Sequence, residues 1–245
     1  MRGLTFSVLR RCRTGLWRPA SRALCSQPKP AAGALPVPDP KLIEVHSSWP
    51  SDEQLELRSA TIQGMQVFPD FVTEAEEGML LAELEPMLKR IRYEFDHWDN
   101  AIIGFRETER SSWTPTNEAV ISRMRSVFPR TGMDSELLPA THVLDLAAAG
   151  HIKPHIDAVR FCGGVIAGLC LLSDAVMRLQ HETHKHLGLD ALLQRRALYI
   201  MSGVSRYEYT HAVLGGEESV WRGEEVPRRR RVAVILRSRP RPDRN

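Results

Sequence analysis

The sequence predicts a mainly β fold with flanking helices. From residue 140 on, short strand-like runs follow one another: "THVLDL", "HIKPHIDAV", "GVIAGLCLL", "AVMRLQH", "ALYIMSG", "RYEYTHAV" and "RRVAVILRS". Turn-forming residues separate them, the pattern of a sheet sandwich or barrel. Upstream lie two stretches whose apolar residues recur at helical spacing. The composition, 42% hydrophobic and 26% charged over 245 residues, suits a sizeable folded domain and argues against wholesale disorder.

The first 26 residues, "MRGLTFSVLRRCRTGLWRPASRALCS", hold six arginines and no acid. Wound as a helix, Leu4, Val8 and Leu9 group apart from the arginines, as in a mitochondrial presequence. A secretory signal needs an unbroken apolar core, which Arg10, Arg11 and Arg13 interrupt. The formal charge of +3 therefore misleads, because the rest of the chain is mildly acidic. Bulk charge does not draw this protein to nucleic acid, and such affinity would need a local patch. Residues 27–60 read as a proline-rich linker and mobile lead-in, with the domain spanning 61–238 and a disordered tail at 239–245. No apolar run approaches the roughly 18 residues that span a bilayer, so no membrane span is expected. Cys12, Cys25, Cys162 and Cys170 show no C-x-x-C spacing. The last two read as reduced core residues.

Within the domain, Thr73 and Glu76 form a capping box. They open a helix whose apolar face is Met79, Leu80 and Leu84, continued by Met87 and Leu88. Pro86 is expected to kink that helix or start a second. In "IRYEFDHWDNAIIGFRETERSSW", Tyr93, Phe95, His97 and Trp98 either line a pocket or pack as part of a strand pair on the helix. Residues 116–130 predict another helix, with Val120, Ile121, Met124 and Val127 apolar. "HETHKH" (181–186) reads as a solvated loop rather than a metal site. Arg228, Arg229 and Arg230 read as an exposed entry to the last strand rather than a phosphate-binding patch.

The chemistry concentrates in the strands. His155 and Asp157 are two apart, so on a strand they share a face and offer an imidazole and a carboxylate to one metal. Taken alone, H-x-D is a weak signal, and a surface strand or loop bearing both residues is the commoner explanation. A non-haem iron(II) site needs a second histidine, and His211, near the end of another strand-like run, is the best candidate. Arg231 and Arg237 share a face of the last strand with Ala233 and Ile235. Arginine forks bind carboxylates bidentately, so two of them beside such a metal suit a dicarboxylate.

The ordered set of H-x-D, a distal His and R-x-x-x-x-x-R resembles the AlkB family of iron(II)- and 2-oxoglutarate-dependent dioxygenases. "LYIMSGVSRYEYTHAV" is similar to the family's strand-turn-strand before its distal histidine. "YEFDHWDNAIIGFRE" with the basic leader looks like a mitochondrial member. The resemblance implies a double-stranded β-helix (jelly-roll-like) core, iron(II) on His155, Asp157 and His211, and O2 as co-reactant. It implies 2-oxoglutarate with its distal carboxylate on Arg231, its oxo-acid end near Arg237 and a hydroxyl contact from Tyr199. It further implies a monomer in the mitochondrial matrix acting on a protein or methylated mitochondrial RNA, with a link to regulated necrosis and fatty-acid metabolism. A non-catalytic interaction protein retaining the site, or an RNA-binding module using Arg228 to Arg230, are the alternatives. The sequence departs from the family where many members carry Asn-x-Tyr against 2-oxoglutarate. Here Leu144-Asp145-Leu146 stands in that place, and no nucleotide-gripping lid is evident between 91 and 140.

Overall fold

The structure is a computed structural model that describes residues 36–95, 101–128 and 136–240. The basic leader, His97, Trp98 and most of the expected tail lie outside the described residues. The core is one antiparallel sheet in the order β1 (Ile43–Val45), β7 (Gly188–Leu193), β6 (Ala175–His181), β9 (Tyr209–Val213), β4 (Thr141–His155), β12 (Arg231–Arg237), β5 (Val165–Leu171), β8 (Leu198–Ser202) and β2 (Met65–Phe68), with β3 (Ile102–Arg110) pairing on β4. The end strand β2 packs against β1 and β7, so the sheet comes round on itself as a nearly closed barrel. This is the mainly β, jelly-roll-like architecture the sequence predicts. A small ribbon of β10 (Val220–Trp221) and β11 (Glu224–Glu225) stands apart from the sheet.

Strand alternation divides the apolar residues into an inner and an outer layer. Along β12, Ala233 and Ile235 belong to the inner cluster, while Val232, Val234 and Leu236 belong to the outer one. In β5, Ile166 and Cys170 face in, and Val165, Ala167, Leu169 and Leu171 face out. On β8, Tyr199 and Met201 face in, and Leu198 and Ile200 face out. The outer layer is covered by Leu80, Leu84 and Leu88 of helix α2 (Glu74–Leu88) and Val120, Ile121 and Met124 of helix α3 (Pro115–Val127). The capping box is formed: Glu76 N–H donates to Thr73 Oγ1 (3.2 Å), and Thr73 N–H donates to Glu76 Oε2 (2.8 Å). Helix α2 runs through Pro86 to Leu88 as one element, so Pro86 starts no second helix. A proline so near the C-terminus costs one backbone hydrogen bond, and little helix remains beyond it to be lost.

Three further expectations are corrected. The supposed linker and lead-in, 27–60, is part of the fold from its later residues on: Asp39 N–H donates to Val67 O (2.8 Å) and β1 pairs with β7. Helix α1 (Leu55–Gly64) follows, and its Thr61 hydroxyl donates to the Tyr209 hydroxyl (3.1 Å). Trp49, 2% exposed, stacks near Tyr209. One buried tryptophan and a three-residue strand give little periodicity, so the segment reads as polar in sequence. "THVLDL" and "HIKPHIDAV" join into the long strand β4, with Gly150 passing close to Gly104. The run Arg228–Arg230 is not an exposed entry, since only Arg229 is exposed. Arg228 donates to Gly150 O and Asp174 O (each 3.3 Å). Arg230 is half-buried against Asp145 and Glu85.

Candidate metal centre and cavity

A cavity of about 800 Å³ opens on the inner side of the barrel. His155, Asp157, His211, Tyr199, Arg231 and Arg237 all line it. The strand pair β4–β9 sets His155 directly opposite His211, after a register irregularity between Ile152 and His155. Their rings lie 4.3 Å apart, as cross-strand partners do. Strand β4 ends at His155, so Asp157 sits in the following loop rather than on the strand. Its side chain still turns back: Asp157 Oδ1 is 3.1 Å from His155 Nε2 and 3.7 Å from His211 Nε2.

One ligand atom from each of the three residues falls within 4.8 Å of the others. Metal–ligand bonds near 2.0–2.2 Å put neighbouring donors on one coordination face roughly 3 Å apart. The donor set, two imidazoles and one carboxylate, fits iron(II) with open positions. His155 Nδ1 lies 2.9 Å from Lys153 O. A carbonyl only accepts, so Nδ1 carries the proton and the Nε2 lone pair is left for a metal. His211 Nδ1 is buried without a partner. Burial drives the His211 pKa down to about 3 against the opposing charge of Asp157, so the ring is neutral and able to ligate. For Asp157, burial acts upward. Hydrogen bonding from His155 and positive charge on His211, both of which require the rings to be protonated, together with the charge of Arg237, outweigh it and hold the carboxyl well below the usual range.

Arg231 lies on the cavity wall and is only 2% exposed. Its Nη2 donates to Cys170 Sγ (3.2 Å), and its Nε is buried without a partner. Among the described residues no carboxylate pairs with it. A buried guanidinium without a counter-ion is costly, and a cavity beside it gives an anionic ligand somewhere to bind. Tyr199 adjoins it, and burial raises its pKa to about 12, so the hydroxyl stays protonated as a donor. Gly168 makes room for that ring, because a Cβ there would lie 2.3–2.6 Å from Tyr199 Cε1, Cζ and the hydroxyl. Arg237 Nε approaches Asp157 Oδ2 at 3.6 Å, and its Nη1 reaches His142 Nδ1 at 2.8 Å.

Where many AlkB proteins carry Asn-x-Tyr, the two outer positions here are apolar: Leu144 and Leu146 belong to the inner cluster, and Leu144 lines the cavity. Asp145 points the other way, into the outer layer, where Arg106, Arg230 and Tyr93 bind it. Three residues that sequence reasoning does not single out also shape the site. His142 and Glu107 line the cavity and bond to each other (2.8 Å). Buried Arg206 donates to Gly163 O and Cys162 O (3.1 and 3.0 Å), tying the loop after Asp157 to the turn before His211. Strand alternation is the signal that places His142 on the Leu144 face. "HETHKH" forms no three-ligand metal cluster among the described residues. No helix among them is long and apolar enough to cross a membrane.

No family model matches the chain. It is 49% identical over 174 residues to the mouse (Mus musculus) protein named alpha-ketoglutarate-dependent dioxygenase alkB homolog 7, mitochondrial, covering 71% of this chain and 78% of that protein. The cattle (Bos taurus) protein of the same name is 48% identical over 174 residues, with the same coverage. Two solved structures share the fold. OsALKBH1 aligns with a TM-score of 0.50 and 12% identity, over 71% of this chain and 98% of its own. A Pseudomonas putida prolyl-4-hydroxylase aligns with a TM-score of 0.52 and 14% identity, over 76% and 99%.

Proposed function

The chain belongs to the alkB homolog 7 family of mitochondrial alpha-ketoglutarate-dependent dioxygenases, and from that membership we propose a monomeric matrix enzyme that oxidises a C–H bond of a polypeptide. The observation that carries the reading is Arg231, a buried cation without a carboxylate partner among the described residues, in the same cavity as the converging His155, Asp157 and His211. Iron(II), when bound, supplies the oxygen activation that couples decarboxylation of 2-oxoglutarate to succinate and CO2 with hydroxylation of the substrate.

The chain's own residues do the rest. His155, Asp157 and His211 would hold the ion. Arg231 and the protonated Tyr199 hydroxyl anchor the distal carboxylate of 2-oxoglutarate, and Arg237 meets its oxo-acid end. Leu144, Ile152, Met177, Met201, Val213 and Ile235 wall the cavity with apolar surface. They keep water from the reacting atoms. If the target carbon is an N-methyl group, its hydroxylated product collapses and releases formaldehyde.

Glu107 and Glu109 line the cavity, and carboxylates there disfavour a phosphate backbone. That supports a polypeptide over a nucleic acid. A second reading, methylated mitochondrial RNA, is favoured by Phe161. This ring lines the cavity yet is 57% exposed, with Arg160 4.7 Å from its centroid, a surface on which a base could stack. Links to regulated necrosis and fatty-acid metabolism are carried by the family resemblance. Succinate formation is measured against mitochondrial polypeptides and methylated RNAs. Stimulation by polypeptides alone supports the proposal, stimulation by RNA alone favours the second reading, and stimulation by neither overturns both.

A further inference from the structure

We propose that His142 and Glu107 form a positioning pair that aims Arg237 at the cosubstrate, a polar anchor on a wall that Leu144 and Leu146 leave apolar. The pair rests on the reading above, in which 2-oxoglutarate docks at Arg231 and Arg237.

The geometry forms a chain of three links. Arg237 Nε lies 3.6 Å from Asp157 Oδ2. Its Nη1 lies 2.8 Å from His142 Nδ1. His142 Nε2 lies 2.8 Å from Glu107 Oε2. A guanidinium has donors only, so His142 Nδ1 must accept. The ring hydrogen then sits on Nε2 and is donated to Glu107. Glu107 thereby selects the tautomer that can hold Arg237, as an outer carboxylate does for a ligating histidine.

Strand register explains the placement. His142 stands opposite Ile235 on β12, two residues before Arg237, and opposite Glu109 on β3, two residues after Glu107. His142 also shares the inner face of β4 with Leu144, both lining the cavity. The polar group therefore stands one pleat along the strand from Leu144. An arginine side chain carries many rotamers, so its fork is not aimed by the backbone alone. Asp157 offers it an alternative place beside the metal ligands. Holding Nη1 on His142 removes that freedom and keeps the rest of the fork on the cavity side.

The test is 2-oxoglutarate binding to the Mn(II)-loaded protein by calorimetry, with thermal melts as a check on folding. His142→Phe removes the acceptor and is expected to weaken binding roughly 10-fold, the lower end of what outer-sphere partners contribute. His142→Asn, whose Oδ1 can stand where Nδ1 stood, is expected to recover affinity to within about 3-fold. Glu107→Leu is expected to weaken binding by a smaller factor. The decisive arm is Arg237→Gln with and without His142→Phe. If His142 acts through Arg237, the double variant binds as weakly as Arg237→Gln alone. Additive losses, or a His142→Phe protein that binds like wild type, overturn the proposal. Wild-type protein without affinity for 2-oxoglutarate, or Arg231→Met with unchanged affinity, would instead defeat the docking reading on which it rests.

Discussion

Arg230 and Arg231 are neighbours in sequence, and their surroundings are opposite. Arg230 points to the helix-covered outer side. There its Nη2 meets Asp145 Oδ2 at 2.8 Å, its Nε meets Asp145 Oδ1 at 3.0 Å, and it also bonds Glu85. Asp145 is fully buried, and takes a further bond from Arg106 Nε (2.7 Å) and one from the Tyr93 hydroxyl (3.1 Å). Arg231 points inward, where a thiol is its hydrogen-bond partner and no carboxylate among the described residues reaches it. Asp157 also faces the cavity, with His155, His211 and Arg237 at 3.1, 3.7 and 3.6 Å. The difference teaches how to read buried charge. A charge fully matched by its own chain holds the fold. A charge left unmatched beside a cavity is available to a ligand.

Arg231→Met should break the inner half of the comparison without touching the outer. Replacing an uncompensated buried charge by an apolar side chain is often neutral or stabilising. The variant's unliganded Tm should therefore stay level or rise, while its affinity for 2-oxoglutarate should fall by about 100-fold or more. Calorimetry and melts on the same sample check both. Asp145→Ala should do the reverse. It strands Arg106 and Arg230 without their shared carboxylate, at about 3–5 kcal/mol, or roughly 10 °C in Tm. Urea unfolding would measure the loss, and an unchanged midpoint would remove the distinction between the two faces.

Gly168→Ala probes the inner wall more gently. The added methyl forces the Tyr199 ring to move, so overpacking of about 1–3 kcal/mol is expected. 2-Oxoglutarate binding should weaken alongside it. The smallest effect lies in the outer layer at low pH. Burial acts to raise the Glu83 pKa, but bonds from Asn117 and Thr114 and the charge of Arg110 bring it below the ordinary glutamate value. A depressed folded pKa stabilises above the unfolded value and loses that contribution as pH falls through the folded one. Between about pH 6 and pH 3, Glu83→Gln should therefore show a shallower acid loss of urea stability than wild type.

How much of this is legible in the sequence depends on how local the signal is. The i, i+2 spacing of His155 and Asp157 is by itself a weak mark of a candidate ligand pair, and Asp157 reaches its place from a loop just past the strand. The six-residue spacing of Arg231 and Arg237 marks one face of a strand, and both line the cavity. His211 is marked as a candidate only by its place near the end of a strand-like run, and the strand pairing that sets it opposite His155 is not visible in sequence. Asp145 looks like a gap in a motif. Its partners Arg106, Tyr93 and Arg230 come from three separate segments, and no spacing rule joins them. His142 does not stand out in sequence because its partners are also distant, one on β3 and one on β12. The segment before residue 60 reads as a linker because its anchor Trp49, like Thr61 just beyond it, shows no periodicity until Tyr209 is seen against it.

The central claim is that His155, Asp157 and His211 bind iron(II) in the cavity where Arg231 and Arg237 receive 2-oxoglutarate. Anaerobic addition of iron(II) and 2-oxoglutarate tests it most directly, by visible absorption. Wild-type protein should develop a metal-to-ligand charge-transfer band, and Asp157→Ala should develop none while still unfolding in one cooperative melt. A wild-type protein without the band, or an Asp157→Ala protein that keeps it, would contradict the account.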